Sequence, residues 1–215
     1  MKNCLTIAVS KGRVFDECVP MLARANIVPD IYPDSTRKLV LNTNHAKIKL
    51  MIIRSQDVPT FVEHGAADCG IVGKDILMER QSDNLYEPLD LGIARCRMVV
   101  ASRSSWRETN KRLKVATKYV NVARRFYAAR GVQTEVIKLY GSMELAPAAG
   151  LADCIVDLVD TGDTLAANGL VERETIADIS TRLVVNKAAM KMKHAPVIEL
   201  IENLGRLARD NKNEA

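Results

Sequence analysis

In the stretch Cys154-Ile-Val-Asp-Leu-Val-Asp-Thr-Gly-Asp-Thr-Leu165, residues able to hold a phosphate follow directly behind residues able to grip a sugar. The apolar positions read as a buried strand, Thr161-Gly162-Asp163-Thr164 as a small-residue turn, and Leu165 as a helix start. Such a junction leaves backbone N–H groups directed at one spot, where the helix dipole favours an anion. Thr161 and Thr164 can add hydroxyl donors, and Gly162 permits a positive φ and close approach of the backbone. Asp157 and Asp160 lie just upstream, where carboxylates can hold sugar hydroxyls or a metal. A phosphate cradle beside such acids suits a phosphorylated ribose, while an ordinary capped turn explains the same residues locally.

Other loops repeat the pattern of cations where a strand gives way to a helix. Ser10-Lys11-Gly12-Arg13 offers an ammonium, a guanidinium and a glycine, without the spacing of a P-loop or a dinucleotide fingerprint. Arg37-Lys38 precedes a strand, and Arg54 ends one. An arginine at the carboxyl edge of a parallel sheet suits bidentate phosphate contact, and a salt bridge to Asp57 or Glu63 is the alternative. Gly70 and Gly73 flank another junction, serving either close ligand approach or helix packing. Lys118 presents a cation before a helix. Glu144 follows Ser142, a candidate N-cap, and either complements the helix dipole or binds ribose hydroxyls opposite Asp157.

The missing residue patterns narrow the chemistry. His45, His64 and His194 form no metal-ligand spacing, so no protein-held metal site is expected. There is no nucleophile elbow, and no cysteine has an obvious histidine partner. The inventory of cations, a cradle and a few carboxylates suits a reaction whose cost is charge separation. Net charge is +5, but aromatics make up only 4%, which argues for small polyanions rather than nucleic acid. The five cysteines lack paired spacing and read as buried apolar groups in a reducing compartment. No signal peptide or membrane span is expected, which places the protein in the cytoplasm.

These residues need a scaffold of alternating strands and helices. Strands are expected at Leu5–Val9, Leu39–Asn42, Ile48–Ile53, Cys69–Val72, Met98–Ser102, Leu113–Ala116, Thr134–Lys138, Cys154–Val159 and Leu183–Asn186. Helices are expected at Val14–Ala25, Gln56–His64, Lys74–Arg80, Val120–Arg130, Met143–Ala148, Leu165–Asn168 and Lys191–Arg209, with a frayed tail over Asp210–Ala215. The alternation predicts an α/β fold with largely parallel sheets. Gly65-Ala-Ala-Asp68-Cys69 echoes Gly150-Leu-Ala-Asp153-Cys154, which suggests two similar α/β lobes facing each other across a cleft. Arg103–Arg112, with Trp106, reads as a surface connection.

Taken in order, these motifs resemble the short form of ATP phosphoribosyltransferases. The stretches carrying the resemblance are Ala8–Arg13, Ser35–Leu39, Arg54–Thr60, Glu63–Asp75, Ala116–Tyr119, Lys138–Pro147 and Asp157–Leu165. The resemblance implies a two-lobed α/β fold like the type II periplasmic binding proteins, with an active-site cleft between the lobes. One lobe would comprise residues 1–92 plus 180–215, the other 93–179. It implies transfer of a phosphoribosyl group from phosphoribosyl pyrophosphate to N1 of ATP, with Mg²⁺ bound mainly through substrate phosphates.

By the same resemblance, Thr161, Gly162, Asp163 and Thr164 hold the ribose 5-phosphate, with Glu144, Asp157 and Asp160 near the ribose. Lys11, Gly12, Arg13, Arg37 and Arg54 surround the nucleotide and pyrophosphate groups, with Gly73 and Lys118 also contributing to binding. Arg13 and Arg37 are the expected catalytic residues. Asp163 departs from the usual uncharged or basic residue, and only its N–H is expected to serve the phosphate. The chain stops short of the regulatory domain of the long form. A separate regulatory subunit resembling histidyl-tRNA synthetase is therefore expected, in a hetero-oligomer built on a homodimer of this chain.

Overall fold

The computed structural model describes residues 4–80, 84–107 and 112–213. The chain divides into two compact units, one comprising Met1–Leu77, Gln81–Ala94 and Ser180–Ala215, the other Met78–Arg80 and Arg95–Ile179. Apart from Met78–Arg80, it leaves the first unit after Ala94 and re-enters it at Ser180.

The first unit holds strands β1 (Leu5–Ser10), β2 (Val40–Asn42), β3 (Ile48–Ile53), β4 (Cys69–Gly73), β5 (Leu85–Asp90) and β11 (Thr181–Asn186). They form one sheet in the order β2-β3-β1-β4-β11-β5. Alternation of period two sorts its apolar residues to both faces. Leu5, Ile7 and Val9 join Leu183 and Val185 under helices α1 (Arg13–Arg24) and α8 (His194–Asn213). Ala8, Val72 and Val184 face the opposite way, against Val58 and Val62 of α2 (Val58–Glu63).

The second unit holds β6 (Cys96–Arg103), β7 (Leu113–Thr117), β8 (Thr134–Lys138), β9 (Cys154–Val159) and β10 (Leu170–Ile179). Their order is β10-β6-β9-β7-β8. Helix α4 (Val120–Ala128) covers one face through Val122, Ala123 and Tyr127. The short α5 (Leu145–Ala148) and α6 (Asp163–Ala167) cover the other through Ala146 and Leu165. Read from β8, this is the order of the first sheet without β2, so the two units share a topology.

Three adjacent parallel strands run through each sheet: β3-β1-β4 inside the first and β8-β7-β9 at one end of the second. The remaining pairings are antiparallel, so the sheets are mixed rather than largely parallel. Three of these pairings, β2–β3, β4–β11 and β6–β9, join expected strands whose direction chain order alone does not give, and two involve β5 and β10, strands absent from the sequence expectation. Both are edge strands. Pro88 lies inside β5, and Glu172–Glu174 of β10 are exposed, with bulges interrupting its pairing. Edge strands need bury neither face fully and tolerate proline, so they carry little apolar signal.

Other expectations are corrected at chain breaks. The helix expected over Lys191–Arg209 is two, α7 (Lys187–Met192) and α8. At the break, Lys193 Nζ reaches the Cys4 carbonyl at 2.7 Å and the Asp68 carboxylate at 2.8 Å, and Pro196 lacks an N–H in the first turn of α8. The helix does not end before Asp210: α8 continues to Asn213, with Arg24 donating to Asn211 Oδ1 at 2.7 Å, and residues 214–215 of the expected tail fall outside the described residues. Trp106 lies in a turn closed by its N–H to the Arg103 carbonyl, and residues 108–111 of that connection fall outside the described residues. Cys18, Cys69 and Cys154 are buried, and burial pushes their thiols up to about 12, 12 and 11. They are inert core groups. Among the described residues, no helix is long and apolar enough to cross a membrane.

Candidate active site

Each sheet gathers its candidate residues at one edge, the carboxyl edge of its parallel strands. In open α/β sheets this is where ligands bind. In the first unit, Lys11, Gly12 and Arg13 leave the end of β1, Arg54 leaves β3 and Gly73 ends β4. The Lys11 N–H extends the ladder to the Ile53 carbonyl at 3.0 Å, which makes Lys11 and Arg54 neighbours on that edge. Strand β2 runs antiparallel to β3, and the Leu39 carbonyl accepts from Ile52 N at 2.8 Å. That register brings Arg37, just before β2, to the same edge.

Gly12 caps α1 at φ +91°, a conformation that side chains other than glycine rarely adopt. Arg13 then begins α1, and its Nε donates to Glu17 Oε1 at 2.8 Å, one helical turn on. Glu17 Oε2 in turn accepts the Ala94 N–H at 2.6 Å. Burial acts to raise the Glu17 pKa, but the Arg13 hydrogen bond, the Ala94 N–H and the Arg13 charge together hold it below its usual value. Glu17 therefore aims Arg13, a role the sequence reading did not assign. The spacing of four residues was its signal. Arg54 is exposed and forms no ion pair with Asp57 or Glu63 among the described residues.

Of the two glycines at β4, Gly70 serves packing. A Cβ on Gly70 would lie 2.7 Å from Val58 Cγ1 and 2.8 Å from Val62 Cγ2, so this glycine lets α2 lie on the sheet. The space beside Gly73 holds the Asp75 carboxylate, 2.2 Å from where a Cβ would stand.

In the second unit, Lys118 follows β7, the Leu139–Glu144 loop follows β8 and Asp160–Thr164 follows β9. Thr117 is buried, donates to the Val156 carbonyl at 2.6 Å and accepts the Tyr119 N–H at 2.8 Å, which fixes the turn carrying Lys118. Lys118 Nζ lies 3.6 Å from Asp157 Oδ1. Burial raises the Asp157 pKa, and the Glu144 carboxylate adds to the rise, against Lys118 and the Leu158 N–H. Glu144, Asp157 and Lys118 thus act on one another electrostatically. The N-terminus of α4 next to them is already occupied, since the Glu79 carboxylate accepts from Asn121 N and Val122 N at 2.9 and 3.0 Å. Lys118 contributes its ammonium, not a helix end.

The Asp160–Thr164 loop turns at Gly162, which is left-handed at φ +95°, and α6 begins with the Ala166 N–H bonded to the Gly162 carbonyl at 3.0 Å. The Thr161 hydroxyl donates to Asp163 Oδ2 at 2.7 Å, and the Asp163 N–H leans 3.4 Å from Thr161 Oγ1. Asp163 and Thr161 therefore engage each other within the loop. Ser142 does not cap α5. It adopts φ +51°, and its carbonyl accepts Leu145 N at 3.2 Å, so the helix starts later, at Leu145.

Among the described residues, no group of three or more His, Cys, Asp or Glu side chains is placed to hold a metal. One or two carboxylates, such as Asp157 with Glu144, fit a Mg²⁺ ion that keeps most of its ligands from phosphates and water.

Comparison with known proteins places this geometry. The family model for HisG, ATP phosphoribosyltransferase, matches residues 54–206. The ATP phosphoribosyltransferase of Methylococcus capsulatus is 64% identical over 203 residues, covering 94% of this chain and 95% of the relative. That of Pseudomonas syringae pv. syringae is 60% identical over 200 residues, covering 93% and 95%. Among solved structures, the ATP phosphoribosyl transferase (HisG:HisZ) complex from Thermotoga maritima superposes with a TM-score of 0.84 at 32% identity, covering 96% of this chain and 99% of that one. The periplasmic aliphatic sulphonate binding protein SsuA from Escherichia coli gives 0.56 at 14% identity, covering 99% and 71%. That second likeness shows a shared fold, of the type II periplasmic-binding-protein kind.

Proposed function

The chain belongs to the ATP phosphoribosyltransferase family, and we propose that its two sheet edges divide the charges of that reaction. The enzyme transfers the phosphoribosyl group of phosphoribosyl pyrophosphate to ATP, releasing pyrophosphate, in the first step of histidine biosynthesis. The Thr161–Thr164 loop takes the ribose 5-phosphate on its N–H groups, and Glu144 and Asp157 hold ribose hydroxyls beside Lys118. Lys11, Arg13, Arg37 and Arg54 take the triphosphate and pyrophosphate charge. What supports this division is the register: Lys11 and Arg54 are neighbours across the β1–β3 ladder, and β2 brings Arg37 to the same edge.

The bond formed is between adenine N1 and ribose C1, and the bond broken joins C1 to the pyrophosphate oxygen. Adenine N1 has a free lone pair, so attack needs no prior deprotonation. Positive charge develops on the ribose while negative charge grows on the departing pyrophosphate. Arg13 and Arg37 stabilise that growing charge, which is worth more in a preorganised site than in water. Mg²⁺, held through substrate phosphates, would add charge neutralisation to the leaving group. The carboxylates Asp157 and Glu144 are placed to favour the cationic ribose.

The chain works in a hetero-oligomer with a regulatory subunit resembling histidyl-tRNA synthetase, built on a homodimer of this chain, in the cytoplasm. The test is pyrophosphate release with ATP, phosphoribosyl pyrophosphate and Mg²⁺. Release requires both substrates, and a protein that binds each but releases nothing from the mixture contradicts the assignment.

A further inference from the structure

We infer that Tyr140 is the stacking platform for the purine base of the nucleotide substrate, an inference that rests on the phosphoribosyl transfer described above. Tyr140 is 80% exposed, the highest value among the large apolar residues described. An exposed tyrosine ring presents an apolar π face on which a planar base can stack. The loop that carries it is anchored at both ends. Leu139 N–H donates to the Thr117 carbonyl at 3.1 Å, and Met143 is buried in the core below. Between those anchors Ser142 is held at φ +51°, uncommon for a residue with a side chain.

The Leu139 bond also fixes where the ring stands. Tyr140 comes one residue after the last ladder bond of β8, as Lys118 comes one residue after Thr117 of β7. Both therefore lie on the edge that carries Glu144 and Asp157. Lys138 Nζ sits 5.3 Å from the ring centroid, a cation–π contact that steadies the ring from one side. In the same unit Tyr119 and Tyr127 are buried, and the Arg130 guanidinium lies 3.6 Å over Phe126. Tyr140 thus offers an accessible π face beside the ribose-binding carboxylates, where the base must come to place N1 against C1.

The test compares the full-length wild type with Tyr140→Phe and Tyr140→Ala, using calorimetric binding of ATP and of inorganic tripolyphosphate. Loss of a base–aromatic stack should weaken ATP binding to Tyr140→Ala about tenfold, with tripolyphosphate affinity unchanged and Tyr140→Phe like wild type. In turnover, the KM for ATP should rise about tenfold in Tyr140→Ala while the KM for phosphoribosyl pyrophosphate stays constant. Unaltered ATP affinity, equal loss of ATP and tripolyphosphate, or a rise confined to the other substrate overturns the inference. Wild type that binds ATP yet releases no pyrophosphate contradicts the reaction instead, and the binding comparison still decides Tyr140.

Discussion

Lys118 Nζ, just past the end of β7, stands 3.6 Å from Oδ1 of Asp157 in the neighbouring parallel strand β9, yet the Asp157 pKa is raised, not lowered. Burial outweighs the cation, and Glu144 adds to the rise. The folded protein binds this proton more tightly than the unfolded chain, so stability falls as pH rises from about 3.8 through the raised value. Asp157→Asn should flatten that fall in urea denaturation measured across pH. At neutral pH it should be at least as stable as wild type, while turnover drops roughly tenfold or more through the lost charged hydrogen bond to ribose. Equal pH dependence in both proteins would contradict this placement.

Glu17 behaves in the opposite sense. Its pKa is held below 4.5, so it contributes stability above that pH that is lost as pH falls through the folded value. Arg13→Ala should move the Glu17 titration upward, read by carboxyl-carbon NMR. The pair is half-exposed, so the same variant should cost less than about 1 kcal/mol of stability. A large stability loss would make Arg13 a structural residue.

Gly70→Ala should destabilise the first unit. The new methyl would meet two β-branched valines fixed on α2 and a third, Val184, at 3.1 Å. Overpacking of this kind costs about 1–3 kcal/mol, read as a lower urea midpoint. A variant as stable as wild type would show that α2 shifts freely.

Asp163→Ala should release the Thr161 hydroxyl and remove one negative charge from the loop. Binding of ribose 5-phosphate should tighten by about threefold at low ionic strength, with the gain shrinking as salt screens it. Weaker binding would mean that the Thr161–Asp163 contact holds the loop in shape.

Asp68 and Asp153 show which features were legible in the sequence. Asp68 accepts the Thr6 N–H at 2.8 Å and donates its own N–H to the Thr6 carbonyl at 2.9 Å. Asp153 makes the same two bonds with Lys114, each at 2.8 Å. The short echo around these aspartates was therefore a repeat of one device, a carboxylate that starts a neighbouring parallel strand. Central strands buried on both faces were readable as apolar runs, and the cations at their ends could be placed from chain order alone. Of the four edge strands, β2 and β8 were readable, while β5 and β10 were not, because Pro88 interrupts β5 and the charged run Glu172–Glu174 interrupts β10. Long-range partners were equally hidden: Glu17 finds Ala94, and Glu79 caps α4, only after the chain has folded.

The most direct test is the steady-state kcat of Arg13→Ala and Arg37→Ala, assayed with both substrates and Mg²⁺. If these guanidiniums stabilise charge leaving with pyrophosphate, each loss should lower kcat by about 10²–10³-fold with little change in either KM. Normal turnover in both variants would contradict that role.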